Sequence, residues 1–182
     1  MARAARLICK YAFIFAVFCG AAGLFLASVY ELVQPRKEAY QREVLQKSLR
    51  LLAPGADSFT PAQTAAGQNY HEACTAAGRL LGYVLETTAS GYSSDLKILA
   101  GLNKDFELTG FKILEQAETP GLGTKAAGPE FAAKLLGRRA DTLALKKDGG
   151  EIDAITGATI TSRSVVDALR RAAENLKEDL RS

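Results

Sequence analysis

An uncharged stretch near the start of the chain constrains its fold more than any other feature. The segment YAFIFAVFCGAAGLFLASVY, from Tyr11 to Tyr30, contains no charged residue. About 20 apolar residues are enough to cross a hydrocarbon core of roughly 30 Å as an α-helix. The sequence therefore predicts one transmembrane helix over residues 11–30, in contact with a lipid bilayer.

Two other interpretations of this segment are a cleaved signal peptide and a lipidated cysteine. Signal peptides also begin with basic residues followed by an apolar run, but this run is long for one and no small-x-small cleavage site follows it. Lipidation at Cys19 would require a small residue before the cysteine, where the chain has Phe18. We interpret the segment as an uncleaved anchor.

Basic residues flank the predicted span on both sides. Arg3, Arg6 and Lys10 precede it, and the residues that follow include Arg36, Lys37, Arg42 and Lys47. The positive-inside rule therefore leaves the orientation open. The formal net charge of +3 equals the three basic residues before Tyr11, so the rest of the chain is neutral. A neutral soluble part lacks the electrostatic footprint of a protein that binds nucleic acid.

The cysteines and the single histidine exclude several kinds of site. Of the three cysteines, Cys9, Cys19 and Cys74, only the last follows the predicted span, and there is no CxxC or CxxCH motif. Iron–sulfur, c-type haem and structural zinc sites therefore lack ligands. His71 is interpreted as a solvated surface group, which disfavours a Ser-His-Asp or Cys-His hydrolase.

The rest of the chain is predicted to form a stalk, a connection and a domain. Residues 31–53 have apolar positions at helical spacing and predict an amphipathic stalk helix, whereas residues 54–79 predict a loop-rich connection. From residue 80 onwards, three segments predict strands of an antiparallel meander with one buried face: RLLGYVLETTA, LKILAGL and FELTGFKILEQ.

The strand pattern ends at ETPGLGTKAAGPEF, where Pro120, Gly121 and Gly123 exclude regular secondary structure. A helix is predicted next, with Pro129 in its first turn and Gly137 just after its end. A short strand over residues 142–145 and a final helix from about Ser162 follow. This last helix buries Val165, Val166, Leu169, Ala173 and Leu176. The element order predicts an α+β fold, in which an antiparallel sheet packed by helices follows the transmembrane helix.

The segment DAITGATITSRSVVDAL, residues 153–169, carries hydroxyl groups at Thr156, Thr159, Thr161 and Ser162. In the simplest interpretation Thr161 or Ser162 caps the final helix and Gly157 permits a tight turn. A cap needs only one hydroxyl, however. Free N–H groups and the positive end of the dipole also make a helix N-terminus a good place for a phosphate, either bound or covalently attached.

Two motifs in this part of the chain resemble those of FMN-binding domains. Residues 153–159, DAITGAT, resemble a D-x-x-[ST]-G-A-T motif whose last threonine is esterified to the phosphate of FMN. Residues 118–123, ETPGLG, resemble a second motif of the same domains. The resemblance implies covalent FMN on Thr159, attached by a separate flavin transferase that uses FAD and Mg²⁺ and recognises Asp153. The cofactor-binding residues that it further implies are Thr156, Gly157, Ala158, Glu118, Thr119, Gly121 and Leu122.

The chain as a whole is similar to the G subunits of Rnf-type ion-translocating electron-transport complexes. The similarity is strongest from Gly82 to Ala173, although these proteins often have a histidine before ETPG, where this chain has Gln116 and Ala117. It implies an electron-transfer component of a translocase that works with other membrane subunits and is not catalytic alone. It also implies a cytoplasmic tail over residues 1–10 and an FMN-binding domain over residues 80–182 on the periplasmic side of the cell inner membrane. The alternatives are the C subunit of a sodium-pumping NADH:quinone reductase, which shares both motifs, and a non-redox, membrane-anchored interaction module.

Overall fold

A computed structural model describes the backbone of residues 2–181 and the side chains of residues 10–181. The chain divides into two compact units, Met1–Leu45 and Gln46–Ser182. The first helix, α1, is continuous over Ala2–Leu52. It makes up the described part of the first unit and contributes its last turns to the second.

Helix α1 has the length and composition of a membrane span. Of the described helices, it is the one long and apolar enough to cross a bilayer. Its apolar side chains lie on the surface, and Phe13, Phe18 and Phe25 are 71%, 74% and 73% exposed. The predicted stalk is not a separate helix, because α1 continues without a break through Pro35 to Leu52. A proline removes one intrahelical hydrogen bond, and the Glu, Lys and Arg residues around it favour a helix that continues through it.

The second unit contains a five-stranded antiparallel sheet in the order β1-β2-β3-β4-β5. The strands are β1 Ser58–Gln63, β2 Asn69–Cys74, β3 Leu80–Ser90, β4 Asp95–Asn103 and β5 Leu108–Glu115. Each strand pairs with the next along the chain, with Val84 opposite Gly101 and Ala100 opposite Phe111. The predicted meander of three strands is therefore confirmed as β3, β4 and β5.

The loop-rich connection predicted over residues 54–79 is wrong, because this segment contains β1 and β2. Strand β1 is an edge strand that pairs only with β2, and its Pro61 lies opposite His71. A proline is tolerated there because an edge strand needs hydrogen bonds on one side only. Pairing with β3 brings β2 into the sheet, and Tyr70 and Ala73 of β2 become buried.

The two faces of the sheet are covered by different helices. One face packs against α3, Thr159–Asp179, and its buried side chains include Leu85, Leu96, Ile98, Ala100 and Leu102. On the other face, Gly101 and Gly110 leave a notch for Leu52, the last residue of α1. A Cβ atom on Gly101 would overlap the carbonyl oxygen of Leu52, which accepts a hydrogen bond of 2.8 Å from Thr109 Oγ1. The end of α1 is thus part of the fold of the second unit.

The segment between β5 and α3 contains one short helix and several turns. Helix α2, Pro129–Leu135, packs on β5 through Phe131 and Phe111, whose ring centres lie 6.4 Å apart. Gly137 follows the helix with φ +72°, as its predicted position after the helix end requires. The strand predicted over residues 142–145 is wrong. Two 3₁₀ turns, Ala140–Thr142 and Lys146–Asp148, leave too short a segment for a ladder, and only Leu145 bridges to Ile152.

His71 is not the solvated group that the sequence suggests. Its side chain is only 12% exposed, and Nε2 lies 2.8 Å from Glu86 Oε1. Pairing of β2 with β3 brings the two side chains together across neighbouring strands. Cys19 and Cys74 are free thiols, whereas the side chain of Cys9 lies outside the described residues.

Candidate functional site

The two motifs singled out in the sequence lie on opposite walls of one cavity. The loop at residues 118–123 and the start of α3 meet beside the turn between β3 and β4, around a space of about 460 Å³. A Cβ atom on Gly157 would lie 3.0 Å from Leu122 Cδ2, so the two motifs are in contact. The residues that line the cavity are Tyr92, Glu118, Thr119, Leu122, Gly123, Gly157, Ala158, Thr159, Ile160 and Thr161.

The carboxylate of Glu118 joins these segments, although only 5% of the residue is exposed. Its Oε1 accepts hydrogen bonds from the backbone N–H groups of Ser93 at 2.8 Å and Ser94 at 3.0 Å. Its Oε2 accepts one from Tyr92 N–H at 3.3 Å and one from Thr161 Oγ1 at 2.8 Å. Burial by itself raises the pKa of this carboxyl, but these hydrogen bonds outweigh it and the pKa is lowered.

Three glycines allow this arrangement. A Cβ atom on Gly91 would lie 2.5 Å from Glu118 Oε1, and one on Gly123 would overlap Oε2. The absence of a side chain at these two positions makes room for the carboxylate itself. Gly121 has a different reason to be glycine, because its φ is +77° and its N–H donates to Thr124 Oγ1 at 3.0 Å.

The hydroxyl groups of the second motif have two kinds of environment. Helix α3 begins at Thr159, not Ser162, and no side chain caps it at Ala158. The prediction that Thr161 or Ser162 is the cap is therefore wrong, since both are buried in the first turn. Thr161 bonds to Glu118, while Ser162 Oγ accepts from Ile155 N–H at 3.0 Å and donates to Ala158 O at 2.9 Å. Thr156 is exposed and Thr159 is partly exposed.

Thr159 also lines a second cavity, of about 300 Å³, on its other side. This one contains Asp153, Thr156 and two lysines. Lys146 Nζ lies 2.8 Å from Asp153 Oδ2, and this hydrogen bond lowers the pKa of the Asp153 carboxyl. Asp153 is 59% exposed and so lies where a second protein can reach it. Thr159 thus lies between two cavities. One has mainly apolar walls, and the other is lined by charged side chains.

Comparisons with known proteins show the family to which the chain belongs. Residues 91–174 match the model of the FMN-binding domain family. The G subunit of the ion-translocating oxidoreductase complex of Methanosarcina acetivorans is 32% identical over 166 residues, which cover 87% of this chain and 88% of that protein. The chain belongs to this family of G subunits. The G subunit of the proton-translocating ferredoxin:NAD(+) oxidoreductase complex of Clostridium ljungdahlii is 29% identical, with 88% and 86% covered.

The chain also shares its fold with a solved structure. The crystal structure of Shewanella oneidensis NqrC matches with a TM-score of 0.52 at 20% identity, covering 71% of this chain and 72% of that one. At this identity the match shows the fold alone. It supports the predicted α+β architecture of an antiparallel sheet with helices.

The residues around Thr159 fit FMN. A cavity of about 460 Å³ is within the usual range for small-ligand sites. Tyr92, Leu122 and Ile160 offer apolar surface for a flat ring, and they are 73%, 44% and 54% exposed. The first turn of α3 has no side-chain cap at Ala158, so its backbone N–H groups are available to an anion such as a phosphate. Among the residues whose side chains are described, none form a His, Cys, Asp or Glu cluster that suits a metal ion.

The sequence does not single out Tyr92, Ile160 or the partnership of Glu118 with Thr161. Tyr92 lies between two of the predicted strands, and Ile160 is a single apolar residue between two threonines. The hydrogen bond from Thr161 to Glu118 spans 43 residues. Local sequence patterns do not predict a contact between residues that far apart in the chain.

Proposed function

We propose that Thr159 carries FMN as a phosphoester and that the protein passes electrons between partners of an Rnf-type ion-translocating complex. The observation that carries this proposal is the environment of the four hydroxyls. Thr161 and Ser162 are already hydrogen bonded inside the fold, whereas Thr159 lies at the helix start between two cavities. Of the threonines in the motif, Thr159 alone lines both cavities.

Attachment needs an outside catalyst. A threonine hydroxyl is a weak nucleophile near neutral pH and requires a base. The carboxylates that line the two cavities are Glu118, which accepts hydrogen bonds from four residues, and Asp153, which is paired with Lys146. Neither is free to act as that base. A flavin transferase that uses FAD and Mg²⁺ and recognises the exposed Asp153 supplies the missing chemistry in this proposal.

The loop at residues 118–123 positions the ring. A phosphoester fixes the cofactor at one end only, so the ring has to be held by contacts with the protein. When bound, FMN supplies the redox chemistry, and the protein supplies orientation and electrostatics. Leu122 contacts Gly157 of the second motif and is 44% exposed, so the Leu122 side chain faces both that motif and the cavity. The open mouth of the cavity leaves an approach for another protein of the complex.

We further propose that residues 1–10 lie in the cytoplasm and that the FMN-binding domain lies on the periplasmic side of the cell inner membrane. Helix α1 supports one crossing of the bilayer, and membership of the G-subunit family supports assembly with other membrane subunits. The orientation itself is taken from the resemblance.

Replacement of Thr159 by Ala tests the attachment, with Thr156→Ala as a matched control three residues away. In the full-length protein produced with the transferase, Thr159→Ala is expected to abolish flavin fluorescence in a denaturing gel, and Thr156→Ala to retain it. Both proteins are expected to stay folded, because even a helix cap contributes only about 0.5–2 kcal/mol. Mass spectrometry of the tryptic peptide of residues 148–163 locates the adduct, and an FMN on Thr156 would contradict the proposal.

A further inference from the structure

We propose that the Glu118 carboxylate is a fixed negative charge in the cavity wall that lowers the reduction potential of the flavin. This inference rests on the proposed function, since it concerns FMN in the cavity beside Leu122. It gives Glu118 a tuning role, distinct from holding the cofactor.

The Glu118 charge has no cationic partner among the described residues. Its hydrogen-bond donors are three backbone amides, the hydroxyl of Thr161 and, at 3.5 Å, the hydroxyl of Ser94, all of them neutral. Other carboxylates of the domain are paired differently: Asp141 with Lys177, Asp148 with Arg163 and Asp153 with Lys146. The Glu118 charge is therefore stabilised by dipoles and is not cancelled by a neighbouring charge.

The position of this charge makes it effective. Glu118 lines the cavity and is 5% exposed, so little water lies between the carboxylate and a ring in that cavity. Each electron added to the ring brings negative charge close to another negative charge, and repulsion is stronger at low local dielectric than in water. The positive N-terminus of α3 acts in the opposite direction. Loss of the Glu118 charge would remove the repulsion and leave the helix dipole unopposed. Both changes would raise the reduction potential of the flavin.

The same contacts disfavour a proton-donor role for Glu118. The hydrogen bonds to Ser93, Ser94, Tyr92 and Thr161 lower its pKa in spite of burial. All of these donors bind the ionised form, and two glycines leave no space for the carboxyl to turn away. Glu118 therefore stays ionised near neutral pH.

The test is a spectroelectrochemical titration of the full-length flavinylated protein in detergent, as wild type and three variants. Glu118→Gln removes the charge and keeps the shape, Glu118→Asp keeps the charge, and Thr161→Val removes one hydrogen bond while keeping the charge. We expect Glu118→Gln to raise the ratio of reduced to oxidised flavin at a fixed potential at least about tenfold, which is 59 mV for one electron. We expect the two charge-retaining variants to change it by less than about threefold.

An unchanged potential in Glu118→Gln would overturn the inference, as would an equal shift in Glu118→Asp or Thr161→Val, which would mean that loop distortion moves the potential. If Glu118→Gln does not fold, redox-difference infrared spectra of wild type and Glu118→Asp decide. A carboxylate band that appears on flavin reduction and moves in Glu118→Asp supports the inference, and its absence contradicts it. A wild-type protein without covalent flavin in a denaturing gel would instead contradict the proposed attachment.

Discussion

Replacing Gly123 with Ala is expected to damage the site more than the same change at Gly121, two residues earlier. A Cβ atom at position 123 would overlap Glu118 Oε2 and lie 2.8 Å from the Cβ of Glu118. The carboxylate cannot swing away, because Ser93 N–H and Thr161 Oγ1 each hold it at 2.8 Å. Either the backbone moves or these hydrogen bonds break.

The loss of stability can be estimated for either outcome, a backbone shift or broken hydrogen bonds. Overpacking costs about 1–3 kcal/mol, and a hydrogen bond to a charged group contributes about 1.5–3 kcal/mol. We therefore expect Gly123→Ala to lower the free energy of unfolding by about 2–4 kcal/mol, or the Tm by roughly 10 °C. At Gly121 nothing lies within 4 Å of a Cβ atom, and φ is +77°. Gly121→Ala should cost only the backbone strain, about 1–2 kcal/mol.

Thermal unfolding of the full-length protein in detergent measures both variants. A third protein, Glu118→Ala, allows a double-mutant cycle with Gly123→Ala. If the main overlap is with the carboxylate, Gly123→Ala should cost roughly 0.5–3 kcal/mol less in that background than in wild type, because only the contact with the Cβ of residue 118 remains. Equal costs for Gly121→Ala and Gly123→Ala, or full additivity with Glu118→Ala, would refute the explanation.

Two other predictions concern the buried ion pair at Asp141 and the orientation of the chain. Hydrogen bonds from Arg139 and Lys177 lower the pKa of Asp141 from 3.8 to about 2. This shift stabilises the fold by about 2.5 kcal/mol above pH 3.8, and the effect is lost as the pH falls towards 2. Asp141→Asn should thus destabilise the protein at pH 7, and denaturant titrations should show the difference shrinking below pH 3.8; a constant difference would contradict it. Alkaline phosphatase fused after Ser182 should be active, whereas activity of a cytoplasmic reporter there would reverse the proposed orientation.

Elements with strong local patterns are predictable from the sequence. The alternation of Leu96, Ile98 and Ala100 predicts the buried face of β4, and all three are at most 1% exposed. Helix α3 buries Leu169 and Leu176 as its periodicity predicts. These residues are strongly apolar and recur with the period of their element, so local sequence is enough to place them.

Elements that depend on pairing are not predictable in the same way. Strands β1 and β2 have few large apolar residues, and they exist because β3 offers β2 a ladder. Helix α3 begins at Thr159 and not at about Ser162. The predicted start is wrong because it assumes that the hydroxyl of Thr161 or Ser162 caps the helix. Instead, Thr161 bonds to a carboxylate 43 residues earlier, and Ser162 Oγ closes the turn through Ile155 and Ala158. Local propensity cannot distinguish a cap from a tertiary contact.

The clustering of hydroxyls near Thr159 suits the covalent attachment that we propose. A transferase needs an acceptor hydroxyl that is exposed, yet the turn that presents it must be rigid. Ser162 stiffens the turn from inside the helix, and Thr161 links the helix to Glu118 and so to the loop on the opposite wall. If either were replaced by an apolar residue, one of these two links would be lost while Thr159 remained available. In this proposal Thr159 carries the cofactor, and Thr161 and Ser162 hold together the turn and the loop beside it.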